Sequence, residues 1–118
     1  MSATDPDTID PVVNLLAHAQ AGVPGTAWAY GGTDLNANLL VFTAGEGVAT
    51  HINTEVDVLL LGIFGEGVVT VDGEGHRVGA GQALVIAKGT QRAIRAVSDP
   101  FAYLTCHRRR AGLWPTGA

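Results

Sequence analysis

The sequence predicts an all-β domain, a sandwich or a barrel, preceded by one short helix. From residue 26 onward, short apolar or alternating runs recur between glycines, a spacing typical of five- or six-residue strands in such folds. Asp72-Gly73 stands between two alternating runs, where this pair favours a two-residue hairpin turn. The 16 glycines fall mostly between the runs, where tight turns need positive φ.

The helix is predicted over residues 11–21. Asp10 suits its N-cap, Pro11 its first position and Gly22 its exit. One face would then carry the apolar side chains of Val12, Leu15, Leu16 and Ala19. Eight segments after it, each a short run together with any turn glycines that follow it, are expected to contain the strands: residues 26–32, 37–47, 56–67, 68–75, 76–82, 83–89, 91–97 and 101–107.

Length and composition indicate one globular domain. The 118 residues suffice for a single core, and 47% of them are hydrophobic while 15% are charged. We expect residues 1–10 to form a flexible N-terminus and residues 11–118 to form the domain. The net charge of −4 argues against a nucleic-acid partner, because phosphate binding needs a basic surface.

The compartment predicted from the sequence is the cytoplasm, with no membrane association. Cys106 is the single cysteine, which excludes an intramolecular disulfide and fits a reducing compartment. We expect no secretory signal at the start of the chain, and its longest apolar run is far shorter than a membrane span.

Two glycine-led motifs lie within residues 37–107. The first is GEGVATHIN at 45–53, and the second is GQALVIAKGTQR at 81–92. Their order and separation resemble the two motifs of the cupin superfamily. The resemblance implies a cupin-type double-stranded β-helix, a jelly-roll-like barrel, with a short helix before it.

The resemblance also locates the family's metal-binding positions, which normally hold three histidines and a glutamate. His51 matches the first histidine, whereas Asn53 stands at the second and Arg92 at the third. The glutamate position falls on Asp57 when counted from His51. It falls on Val58 when counted back from the motif's last glycine, and a β-bulge would explain the difference.

These replacements change the chemistry expected at the site. Transition metals prefer imidazole and carboxylate ligands, while an amide oxygen is a weaker ligand and arginine has no lone pair to donate. We therefore predict no bound metal or other cofactor. The alternative is a divalent Fe, Mn, Ni or Zn ion, with His51 as its first ligand.

Strand alternation would place four polar residues on one face if no bulge intervenes. These are His51, Asn53, Glu55 and Asp57. We expect His51 and Asp57 to be the candidate catalytic pair, since imidazole suits proton transfer near neutral pH. Glu55 would lie either in the pocket or at its rim.

Further pocket residues are expected on the second motif and on the last strand. An inward Arg92 would pair with Asp57 or Glu55, or would bind an anionic group of a ligand. A strand slip would instead turn it outward. Tyr103 and His107 share one strand parity and are candidates for the pocket, with a surface position as the alternative for His107.

Three functions are compatible with these residues. The first is a metal-independent cupin that binds a small molecule, with an anionic ligand as one option and isomerase- or lyase-type acid/base catalysis as another. The second is a metal-dependent oxygenase or isomerase with a divergent ligand set. The third is a non-catalytic binding or sensing module.

We also expect a homodimer formed through edge strands, with contributions from residues near 26–32 and from Trp114.

Overall fold

The computed structural model describes residues 11–109, so the predictions for residues 1–10 and for Trp114 lie outside the described residues. One helix and nine strands form within this range. They are α1 (Leu15–Gln20), β1 (Gly25–Gly31), β2 (Leu35–Phe42), β3 (Gly47–Ile52), β4 (Val58–Phe64), β5 (Glu66–Val71), β6 (Glu74–Gly79), β7 (Ala83–Ile86), β8 (Gln91–Ala96) and β9 (Phe101–Arg108).

The strands form two antiparallel sheets, which confirms the predicted all-β architecture. One sheet has the order β1-β2-β9-β4-β7 and the other has the order β3-β8-β5-β6. Strands far apart in sequence therefore become neighbours, as in a jelly roll. The main apolar core contains buried side chains from both sheets, including Leu60, Val69, Ile94, Phe101 and Tyr103.

The predicted hairpin joins β5 to β6. Val71 pairs with Glu74, which leaves Asp72 and Gly73 as a two-residue loop. Both loop residues have positive φ, 49° and 84° respectively, as a type I′ turn requires. Local sequence therefore sets the register of this pair of strands.

Strand β3 was not among the eight predicted runs. Five of its six residues are exposed, because it lies at the edge of the four-stranded sheet and pairs only with β8. Its side chains consequently lack the alternation of apolar and polar residues that identifies a half-buried strand.

The helix is shorter than predicted. It begins at Leu15, because the Asn14 side chain accepts a hydrogen bond from the Ala17 N–H at 3.0 Å and caps the helix there. Ala19 is buried while Leu16 is exposed, so the predicted four-residue apolar face is wrong. Among residues 11–109, no helix is long and apolar enough to cross a membrane.

Candidate ligand-binding site

A cavity of about 570 Å³ lies between the two sheets. Five of the seven predicted site residues line it: His51, Asn53, Arg92, Tyr103 and His107. Glu55 and Asp57 are not among the lining residues. The apolar part of the wall includes Leu40, Val48, Val58, Leu60, Ile86 and Ile94.

A β-bulge in β3 brings His51 to the cavity. Val48 pairs with Ile94 and His51 pairs with Arg92, so three residue steps on β3 oppose two on β8. The extra residue reverses the side-chain alternation. Val48 and His51 consequently both line the cavity, although simple alternation would place them on opposite faces.

The two histidines of the wall have the same tautomer when they are neutral. His51 Nδ1 lies 3.0 Å from the Ala49 carbonyl oxygen, and His107 Nδ1 lies 2.8 Å from the Arg108 carbonyl oxygen. Because a carbonyl oxygen only accepts, each Nδ1 carries a proton. Nε2 is therefore the nitrogen that holds the lone pair in each ring.

Arg92 is buried, with 4% of its surface exposed, and it lines the cavity. Its neighbour Ala93 lies in a groove on the opposite face of β8, so the outward orientation of Arg92 is excluded. The Arg92 Nη2 donates to the Ala87 carbonyl oxygen at 3.0 Å and to the Thr90 carbonyl and hydroxyl oxygens at 3.4 Å. These hydrogen bonds orient the guanidinium.

Asn53 changes the course of the chain after β3. Its side-chain oxygen accepts hydrogen bonds from the Glu55 N–H at 2.9 Å and the Val56 N–H at 3.3 Å, which makes a local turn. The strand has already ended at Ile52. The expected alternation from His51 to Asp57 is therefore wrong, because a turn replaces the strand.

The two carboxylates consequently lie away from the cavity wall. Asp57 Oδ1 accepts a hydrogen bond from the Lys88 N–H at 2.9 Å, and Glu55 is exposed. The predicted pairing of Arg92 with either acid is also absent among the described residues. The salt-bridge contacts within residues 11–109 join Arg77 to Glu66 and, when the imidazole is protonated, His76 to Glu74.

Val58 lines the cavity whereas Asp57 does not, so the side chain that faces the cavity at the glutamate position is apolar. The four metal-binding positions then supply one imidazole, one amide, one valine and one guanidinium. Residues 11–109 contain no group of three or more His, Cys, Asp or Glu placed to hold a metal ion. This donor set does not fit the family's metal.

Sequence reasoning missed several polar lining residues, including Arg109, Tyr30, Asn36 and Asn38. The Arg109 Nη1 donates to the Gly32 carbonyl oxygen at 2.9 Å. The sequence contained a signal for Arg109 as a cavity residue, because Arg109 has the same strand parity as Tyr103 and His107. No Asp or Glu within residues 11–109 lines the cavity.

Tyr103 is fully buried, and its side chain carries one polar atom, the hydroxyl oxygen. Its hydroxyl has no hydrogen-bond partner among residues 11–109, a condition that costs about 1–3 kcal/mol. The ring packs between Phe42 and Phe101, with centroids 6.1 and 5.3 Å away. Burial raises the pKa of the phenol, so the hydroxyl stays protonated as a donor.

Strand pairing establishes how deep each wall residue lies. A Cβ at Gly67 would lie 2.4 Å from the Phe101 ring, and Gly67 pairs with Ala96. Phe101 and Ala96 therefore lie at the same depth along the axis of the cavity. Both are fully buried, so this end is closed. Arg92 and His107, further along β8 and β9, lie toward the other end.

Solved structures provide the comparison with known proteins, because no protein-family model matches the chain and no curated protein matches it. A Bacillus halodurans protein has 22% sequence identity with this chain. The alignment covers 98% of this chain and 92% of that protein, with a TM-score of 0.77. A double-stranded β-helix protein from Klebsiella pneumoniae has 14% identity, covers 95% of each chain and has a TM-score of 0.77. These two likenesses show the fold alone.

The similarity to a cupin protein from Bacteroides fragilis identifies the family of this chain. That protein is 31% identical, with a TM-score of 0.60, over 73% of this chain and 74% of that chain. The two motifs, the paired sheets and this identity agree. This chain belongs to the cupin superfamily.

Proposed function

We propose that this cupin binds a small anionic molecule of the carboxylate class in its barrel cavity, without a metal. The observation that carries the proposal is the charge of the wall. It contains two arginines and two histidines, while no Asp or Glu of residues 11–109 lines it. A cavity with this lining favours an anion over a neutral or cationic ligand.

Arg92 is the residue expected to bind the anionic group. A guanidinium presents several N–H donors in a planar fork that matches a carboxylate. Arg92 is held by contacts with residues 87–90, so little side-chain entropy remains to be lost on binding. Its burial strengthens the attraction, because screening by water is weak there.

His51, on the neighbouring strand, is expected to contact the same ligand. It pairs directly with Arg92 across β3 and β8, so both side chains enter the cavity at one level. A protonated imidazole would add a second cationic donor, and a neutral one offers the Nε2 lone pair.

Acid/base catalysis on the bound anion is a second candidate function, favoured by the His51 tautomer that makes Nε2 the basic nitrogen. The expected partner Asp57 does not line the cavity, so His51 would act without it. Turnover of a bound carboxylate that disappears in His51→Gln but persists in Asp57→Asn would support this candidate.

A calorimetric screen tests the proposed function. Aliphatic and aromatic carboxylates are titrated into the protein beside their neutral amides, which match them in shape. We expect carboxylates to bind and their amides to bind at least about tenfold more weakly, since hydrogen bonds to charged groups contribute about 1.5–3 kcal/mol. Equal affinity for both members, or no binding by any carboxylate, would contradict the proposal.

A further inference from the structure

Tyr103 lies deeper in the cavity than the groups expected to bind the anion. From the level of Phe101 and Ala96, one two-residue step along β8 reaches Ile94 and a second reaches Arg92. One such step along β9 reaches Tyr103. Because two strand residues span about 7 Å, the Cα atom of Tyr103 is about 7 Å closer to the closed end than the Cα atom of Arg92.

The wall between these two levels is apolar. Leu60 and Ile94 line it from opposite sheets, while the cross-strand pair of Val58 and Ile86 lies further out, beside His107. A ligand that reaches from Arg92 to Tyr103 must therefore place an apolar body between its two ends. Apolar surface removed from water would contribute to its affinity.

The Tyr103 hydroxyl makes the inner end of the cavity favour a ligand that carries a hydrogen-bond acceptor. It lacks a partner among residues 11–109, and the Phe42 and Phe101 rings fix its position. Phenylalanine would fill the same volume without leaving a buried donor unpaired. An oxygen atom on the ligand would satisfy this donor.

We propose that Tyr103 is a specificity-determining residue that donates a hydrogen bond to an oxygen atom on the part of the ligand that lies deeper in the cavity than its anionic group. This inference rests on the proposed binding of a carboxylate by Arg92. The ligand class is then a hydroxy- or oxo-carboxylate with an apolar middle. An unsubstituted carboxylate of the same size would leave the Tyr103 hydroxyl unpaired and bind more weakly.

Two isosteric ligand pairs test the inference by calorimetry. The aromatic pair is 4-hydroxybenzoate and 4-methylbenzoate, and the aliphatic pair is 5-oxohexanoate and 5-methylhexanoate. We expect the unmodified protein to prefer the oxygen-bearing member of at least one pair by about 5- to 10-fold, the value of one hydrogen bond. This measurement does not depend on any variant folding.

The variant Tyr103→Phe removes only the hydroxyl oxygen. We expect it to abolish the preference while leaving the affinity for the methyl-bearing ligand within about twofold. Thr70→Val is the matched control, because it removes a hydroxyl from the groove on the outer face of the four-stranded sheet. We expect this control to retain the full preference.

The outcomes separate this inference from the proposed function. If the carboxylates bind but the methyl-bearing members bind as tightly as their partners, the role of Tyr103 is refuted and anion binding stands. The role is also refuted if Tyr103→Phe weakens both members of a pair equally, since the loss is then not specific to the oxygen. If no carboxylate of either pair binds, the proposed function and the inference both fail.

Discussion

His51 and Arg92 lie directly opposite each other on neighbouring strands, and both side chains line the cavity between the sheets. The family's metal-binding pattern has histidines at both positions. Here an imidazole faces a guanidinium, so the wall holds cationic donors where the pattern has metal ligands. We therefore expect the arginine at residue 92 to favour an anionic occupant over a cation.

Arg92→Gln is expected to lower the affinity for small carboxylates at least about tenfold, because it removes the charge and the forked donors. Arg95→Gln is the matched control. Arg95 lies on the same strand but is exposed on the outer face, so its loss should change affinity less than twofold. Calorimetry on both variants measures the difference, and equal affinity of the two would exclude Arg92 as the anion-binding residue.

The buried phenol predicts how stability depends on pH. Because the pKa of Tyr103 is raised above its usual 10.0 by burial, the unfolded chain loses this proton first as pH rises. The folded protein then binds more protons than the unfolded chain. The free energy of unfolding should therefore fall above about pH 10, by up to about 1.4 kcal/mol per pH unit from this group.

Urea unfolding of Tyr103→Phe between pH 8.5 and 11 measures that contribution. The variant should show a shallower fall in stability than the unmodified protein. The stability of the variant should still fall with pH, because burial also raises the pKa of the Cys106 thiol, and this shift lowers the free energy of unfolding at high pH in the same way. Tyr30→Phe is the control, since the Tyr30 ring is 52% exposed. Identical slopes for both variants would show that Tyr103 is not the group responsible.

Purified protein is expected to contain far less than one transition-metal ion per chain. The residues at the four family positions offer one imidazole as a strong ligand, and Arg92 repels a cation. The paired changes Val58→Glu and Arg92→His should raise the zinc content, because with His51 they supply three donors. Elemental analysis measures both proteins, and close to one metal per unmodified chain would contradict the prediction.

A homodimer is expected in solution. Strand β1 lies at one edge of the five-stranded sheet, and an unpaired edge favours pairing with a second chain. The outer face of the same sheet also exposes Leu59 and Val85, by 43% and 66%, which adds apolar surface for association. Light scattering at tens of micromolar should give twice the chain mass, and a monomer at that concentration would rule the dimer out.

The sequence by itself determined the strand series and much of the barrel. Glycine-bounded alternating runs mark eight of the nine strands within residues 11–109, because alternation and turn residues act over a few neighbours. The Asp72-Gly73 hairpin follows from the same local chemistry. The motif spacing also indicated His51, Asn53 and Arg92 as cavity residues, which is where the structure places them.

The tertiary structure alone decided which polar groups meet in the cavity. The bulge in β3 depends on its pairing with β8, so the sequence could not show that Val48 and His51 face the same way. The Asn53 turn removes Asp57 from the strand and leaves Val58 in the wall. The burial of the Tyr103 hydroxyl, without a hydrogen-bond partner among residues 11–109, likewise depends on residues from both sheets, because burial and hydrogen bonding are set by side chains distant in sequence.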